Sequence, residues 1–239
     1  MCAKGGSDTP EDDTATFSRA LETLKERGSN LLLVGANHET IQSQACQRFL
    51  GDSIAEPRRR LFVYTDSDGT VDGQPMESLY AHAGADATKV IERPTPTRSA
   101  ATTGTTAPSP SPSSIPRVTV EDGSLADFGD VIVRSILEFD RVSGGLDPAE
   151  LRLCFDSLLP LLAEHDREEV FRFLHLVIAS VREANGMAHY HLPMERDSDA
   201  VELLAPLFDA VIEVRVHDGV PQQRWYLARE DFTTEWLSL

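Results

Sequence analysis

The sequence predicts an α/β fold with a mainly parallel sheet, helices on both faces and antiparallel strands at the C-terminal end. Three observations carry this. The apolar runs Leu31–Val34, Leu61–Thr65 and Leu151–Phe155 are short and continuous, as in strands buried on both faces of a parallel sheet. Apolar residues at helical spacing fill the stretches between such runs. Two strand-like runs then close the chain around Asp218-Gly219, a hairpin turn signal.

The elements follow in order. Residues 1–13 are polar and acidic and read as a disordered tail. Phe17, Leu21 and Leu24 give a helix that Gly28 can end. Asn30–Gly35 is the first buried strand, and Ala36–Thr40 is read as a loop. Ile41, Ala45 and Phe49 give a second helix stopping at Gly51. The strand at 61–65 runs into the acidic turn Asp66-Ser67-Asp68-Gly69. Residues 93–117 hold six of the fourteen prolines and almost no large apolar side chain, so they cannot offset their ordering entropy. They read as a disordered insertion within one domain spanning 14–239. Val118–Val120 is a short strand, and Leu125–Asp140 a helix with Phe128, Val131, Ile132, Ser135 and Phe139 on one face. The strand at 151–155 and the amphipathic helix Arg167–Glu183 come next. Met187–His191, Val211–Val216 and Arg224–Ala228 are strands, with a short helix at Val201–Leu207.

Charge narrows the function. The formal net charge is −17, and only three of the 22 Lys+Arg are lysine (Lys4, Lys25, Lys89). Such a chain repels nucleic acid unless it hides a basic patch. The compact run Arg58-Arg59-Arg60 leads straight into a strand and is not read as a phosphate-contact site. Many carboxylates with scarce lysine suit a protein kept soluble at multimolar salt, where the Debye length is about 3 Å or less. The sequence therefore points to a halophilic source. No run approaches the ~18 apolar residues of a spanning helix, and the N-terminal residues lack a signal-peptide plan. Cys2, Cys46 and Cys154 form no framework, so a cytoplasmic, reduced compartment is expected.

In an open parallel sheet, ligands bind at the carboxyl ends of the strands. Gly35 stands at the first position of a phosphate loop, G-x-x-x-x-G-K-[ST]. Thr40 then replaces the second Gly, Ile41 the Lys and Gln42 the Mg²⁺-binding hydroxyl. Without the ammonium, charge on the transferring phosphoryl group goes unneutralised. The helix N-terminus that remains is a weak anion site. Asp66 and Asp68 could hold a water or a metal, or simply cap a solvated turn. Asp156-Ser157 ends an apolar strand as a Walker-B carboxylate does, or caps the following turn.

Other candidates are fewer. His189 and His191, at i and i+2 on a strand, point the same way and could chelate a metal. The sequence shows no nearby Cys or third His to complete the set, so a structural role is expected. Cys46 and Cys154 are expected to pack as small apolar residues, and His175 as a half-buried one. No G-x-S-x-G and no Ser/His/Asp or Cys/His nucleophilic constellation occurs.

The order of these segments resembles the RecA/KaiC-type P-loop ATPase core over roughly residues 17–228. The resemblance rests on the strand–loop–helix at 30–50, the strand and acidic turn at 61–68, LRLCFDSLLPLL at 151–162, PLFDAVIEV at 206–214 and RWYL at 224–227. Within it, LKERGSNLLLVG, CFDSLLPLL, VFRFLH and AHYHLP are similar to a haloarchaeal family of unknown function labelled HTR-like or KaiC-like. The resemblance implies a three-layer RecA-like sandwich. It places Gly35 at the start of a degenerate phosphate loop, Asp66 and Asp68 near water-activating glutamates, and Asp156 at the Walker-B position. Thr40-Ile41-Gln42 depart from the pattern. A non-catalytic regulatory or signalling protein is thus expected, acting on a protein partner, with no cofactor or metal, as a monomer or homodimer. The alternative is a nucleotide-binding switch with little or no hydrolysis.

Overall fold

The computed structural model describes residues 10–35, 39–51, 57–65, 70–71, 74–78, 87–94, 115–121 and 123–239. Its helices are α1 (Pro10–Glu26), α2 (Glu39–Leu50), α3 (Leu125–Ser143), α4 (Leu159–Glu164), α5 (Arg167–Glu183) and α6 (Asp199–Leu204). Its strands are β1 (Ser29–Gly35), β2 (Arg59–Tyr64), β3 (Thr70–Val71), β4 (Gln74–Pro75), β5 (Thr88–Glu92) and β6 (Arg117–Thr119). They continue with β7 (Leu151–Phe155), β8 (Met187–Leu192), β9 (Ala210–His217), β10 (Val220–Leu227), β11 (Phe232–Thr233) and β12 (Leu237–Ser238).

The main sheet runs β11-β10-β9-β1-β8-β7-β2-β5-β6, with β12 also on β10; β3 and β4 form a separate ribbon. From β9 to β6 every neighbouring pair is parallel. β10 returns antiparallel on β9 through Asp218 and Gly219, both at positive φ, as a tight hairpin demands. The expected α/β architecture and its antiparallel C-terminal strands are therefore present.

Alternation along the central strands makes two layers. Leu32, Val34, Leu153, Phe155, Tyr190 and Leu192 face α3 and α5, where Phe128, Ile132, Leu174, Val177 and Ile178 complete a core. Leu31, Leu33, Ala210 and Ile212 face the other way, toward Phe17, Ala20, Ile41 and Ala45 of α1 and α2. Phe62, Tyr64, Val90, Cys154, Cys46 and Leu50 extend that second layer. Helix α3 starts at a reciprocal Ser124–Asp127 capping box and ends at Gly144 in the left-handed region.

Several expectations need correction. Helix α1 begins at Pro10, inside the stretch expected to be a tail; Pro-Glu-Asp-Asp is itself a helix-starting composition. Residues 1–9 lie outside the described residues. Helix α2 begins at Glu39, so Thr40 is helical rather than in a loop. Of the stretch 93–117 expected to be a disordered insertion, residues 93, 94 and 115–117 are described. Arg93 N donates to Tyr64 O, Val90 N donates to Pro116 O, and Arg117 opens β6; residues 95–114 of that stretch lie outside the described residues. Strand β5, helix α4 and the short strands β11 and β12 went unread. His175 is exposed on α5, because Leu174, Val177 and Ile178 take the face toward the sheet.

Candidate functional site

Of the residues singled out in the sequence, Gly35 lies at the carboxyl end of β1 and Asp156 and Ser157 at that of β7. Gly35 ends β1 at φ 111°. It pairs with Val214 of β9, and a Cβ there would sit 2.2 Å from Val214 O. Close approach of two strands is therefore enough to demand glycine here. Ile41, which the sequence reading sets against the lysine of a phosphate loop, is 1% exposed and packs into the core with Leu31, Leu33 and Ala45. Thr40 and Gln42 lie on α2, and their side chains are outside the described residues. Asp66 and Asp68 are likewise outside them.

Asp156 follows β7 and is bound to the neighbouring strand end. Thr65 donates to Asp156 Oδ1 twice, from its backbone N at 3.0 Å and from Oγ1 at 3.2 Å. Thr65 Oγ1 also lies 2.7 Å from the carbonyl O of Ser157, and the Ser157 hydroxyl accepts from Leu159 N at 3.2 Å. These bonds knit β2 to β7 and start the turn into α4. The arginine run is also anchored in the fold. Arg58 donates to Ala149 O, Arg59 pairs with Glu150, and buried Arg60 donates to Gly51 O.

A second constellation lies deeper and was missed. Cys154 on β7 stands in register with His189 on β8, and His191 follows two residues on, on the same face. Helix α2 crosses that face and brings Cys46 down from above. One ligand atom from each of the four lies within 4.8 Å of the other three. Cys46 Sγ is 3.1 Å from His189 Nε2, and Cys46 and Cys154 are joined as a disulfide with Cα atoms 6.7 Å apart. Exposure is 1% at Cys46, 2% at Cys154, 2% at His189 and 5% at His191. Desolvation, then the nearness of His191 and Arg152, holds His189 well below the usual imidazole range. Desolvation alone lowers His191 to about 4. Both rings are therefore neutral at neutral pH.

The expectation that no cysteine stands near the His pair is thus overturned, as is the expectation that Cys46 and Cys154 act merely as small apolar residues. Half of the signal was in the sequence, as His-x-His on one strand face. The other half depends on which strands are neighbours.

The model of a family of unknown function, DUF7504, matches residues 28–214. The chain belongs to that family. No curated protein matches it. The matched span of this DUF7504 member runs from the glycine before β1 to β9 and contains Asp156 and all four residues of the Cys/His group.

Proposed function

We propose that this DUF7504 member is a non-catalytic, RecA/KaiC-like regulatory or signalling protein of a halophilic archaeon, acting by contact with a protein partner. The observation that carries this is Ile41. Counted from Gly35, the lysine of the phosphate-loop pattern falls on Ile41, and that side chain is apolar and packed into the core. Core packing and phosphate neutralisation make opposite demands on one position, so the fold has kept the helix and given up the charge.

Two further features support the reading. β1 and β7 flank the single strand β8, and Gly35 and Asp156, the residues matched to the phosphate-loop and Walker-B patterns, lie at the carboxyl ends of those two strands. Leu137 and Val142 on α3, with Phe171 and Leu176 on α5, are exposed large apolar side chains on two helices packed together. Side chains of this kind are open to contact with a protein partner.

Calorimetric titration of Mg·ATP and Mg·GTP at multimolar KCl, followed by phosphate release, tests the reading. Silence in both is the expected result. Saturable heat without turnover would make the protein a nucleotide-binding switch, with α2's N-terminus as the anion site. Turnover would overturn the proposal.

A further inference from the structure

The buried Cys/His group is independent of the nucleotide question and stands on its own geometry. Two sulfurs and two imidazole nitrogens come from three elements, α2, β7 and β8, and converge within 4.8 Å. A tetrahedral Zn²⁺ with bonds of ~2.3 Å to sulfur and ~2.0 Å to nitrogen sets its donors about 3.3–3.8 Å apart. The 3.1 Å between Cys46 Sγ and His189 Nε2 is close to that spacing. We propose that Cys46, Cys154, His189 and His191 hold one structural zinc ion when the cysteine pair is reduced.

The donor set selects the metal. Two thiolates and two imidazoles in a tetrahedron suit Zn²⁺, whereas Mg²⁺ and Ca²⁺ take oxygen ligands. Donors this close converge on one ion, not on the two separated irons of a sulfide-bridged cluster. Charge balance favours the assignment as well. Zn²⁺ with two thiolates and two neutral imidazoles is uncharged overall, so it avoids the large cost of burying a net charge. Four protein ligands leave no open position, and all four residues are buried, which makes the site structural and not catalytic. Leu31 and Leu33, in register with His189 and His191, line the same sheet face, and the Phe49 ring lies 5.5 Å from that of His189. The ion would tie α2 to β7 and β8, joining positions 108 residues apart at the cysteines alone.

The disulfide and the zinc site are two states of the same pair. A dithiol reductant supplies two electrons and two protons, breaks the Cys46–Cys154 bond and closes its own disulfide. Zn²⁺ then displaces the two thiol protons as the Zn–S bonds form.

The test uses the full chain, expressed with zinc in the medium and purified at multimolar KCl with reductant and no chelator. Elemental analysis is expected to find about one zinc per chain. Substituting Co²⁺ should give the ligand-field bands of a tetrahedral ion together with sulfur-to-cobalt charge transfer. Cys154→Ser and His191→Ala should each lose the metal, and stripping it from the wild type should lower the thermal midpoint. If either variant fails to fold, the wild-type Co²⁺ spectrum alone decides. Folded, metal-free protein under reductant would overturn the proposal. So would zinc that survives in both variants, or a Co²⁺ spectrum lacking the sulfur band.

Discussion

At the residue scale, Gly35 and Asp156 separate packing from chemistry. The sequence reading sets them at phosphate-loop and Walker-B positions, and in the structure both have structural work in hand. Gly35→Ala would put a Cβ at φ 111° against Val214 O. The backbone strain costs about 1–3 kcal/mol, and the contact adds to it because the obstacle is backbone that cannot rotate away. Urea unfolding at multimolar KCl should show a loss at or above the top of that range. An unchanged midpoint would mean β9 can step back from β1. Asp156→Ala removes the acceptor of two bonds from Thr65, whose side chain is wholly buried. A loss of about 1–3 kcal/mol is expected, with no change in the heat of Mg·ATP titration. A variant that lost nucleotide heat and kept its stability would make Asp156 a Mg²⁺ partner instead.

At the element scale, continuous apolar runs bounded by glycine or aspartate were legible, which is why β1, β2, β7 and α5 fall close to where the sequence puts them. Strand β5 was not, because its apolar run is only Val90-Ile91, flanked by Lys89 and Glu92. The metal-type group was half legible for a related reason. His-x-His fixes one face of β8 by the strand period alone, but β8 inserts between β1 and β7, and only that insertion sets Cys154 opposite His189. Pairing is a long-range property, and spacing along the chain does not encode it. The β9–β10 hairpin was read from its turn, yet its cross-strand chemistry was not. Glu213 on β9 accepts from the Tyr226 hydroxyl at 2.6 Å and from the Arg224 guanidinium at 2.7 Å on β10. Burial raises the Glu213 carboxyl, but those two bonds and the charges of Arg224 and Arg196 outweigh it, so the net shift is downward. A carboxylate lowered in the folded state stabilises above its unfolded value, about 4.3, and that contribution is lost as pH falls through the folded value. The stability difference between wild type and Tyr226→Phe should therefore be constant near neutrality and shrink in acid below about pH 4. A difference that stays constant throughout would show that the hydroxyl contributes packing alone.

At the scale of the whole molecule, the net charge of −17 sets two effects of salt against each other. Screening weakens exposed ion pairs such as Arg134–Asp130 and Arg172–Glu168, each worth about 0–1 kcal/mol at most. It also weakens the repulsion among the excess carboxylates, which acts across the whole surface and favours expansion of the chain. The better-covered pairs, Arg59–Glu150 and Arg93–Glu164, are screened least. Repulsion is therefore the larger salt-sensitive effect, and added KCl should stabilise the fold. The Debye length falls from about 10 Å at 0.1 M to about 3 Å at 1 M, so most of the electrostatic gain should come within that interval. Urea, being uncharged, is the right denaturant, and the midpoint should climb steeply to about 1 M KCl and then level off. Replacing chloride with sulfate should raise it further, because sulfate strengthens apolar burial and does not act by screening alone. A midpoint independent of KCl would mean that the acidic surface hydrates the protein without straining it, and that the charge excess is a feature of solubility and not of stability.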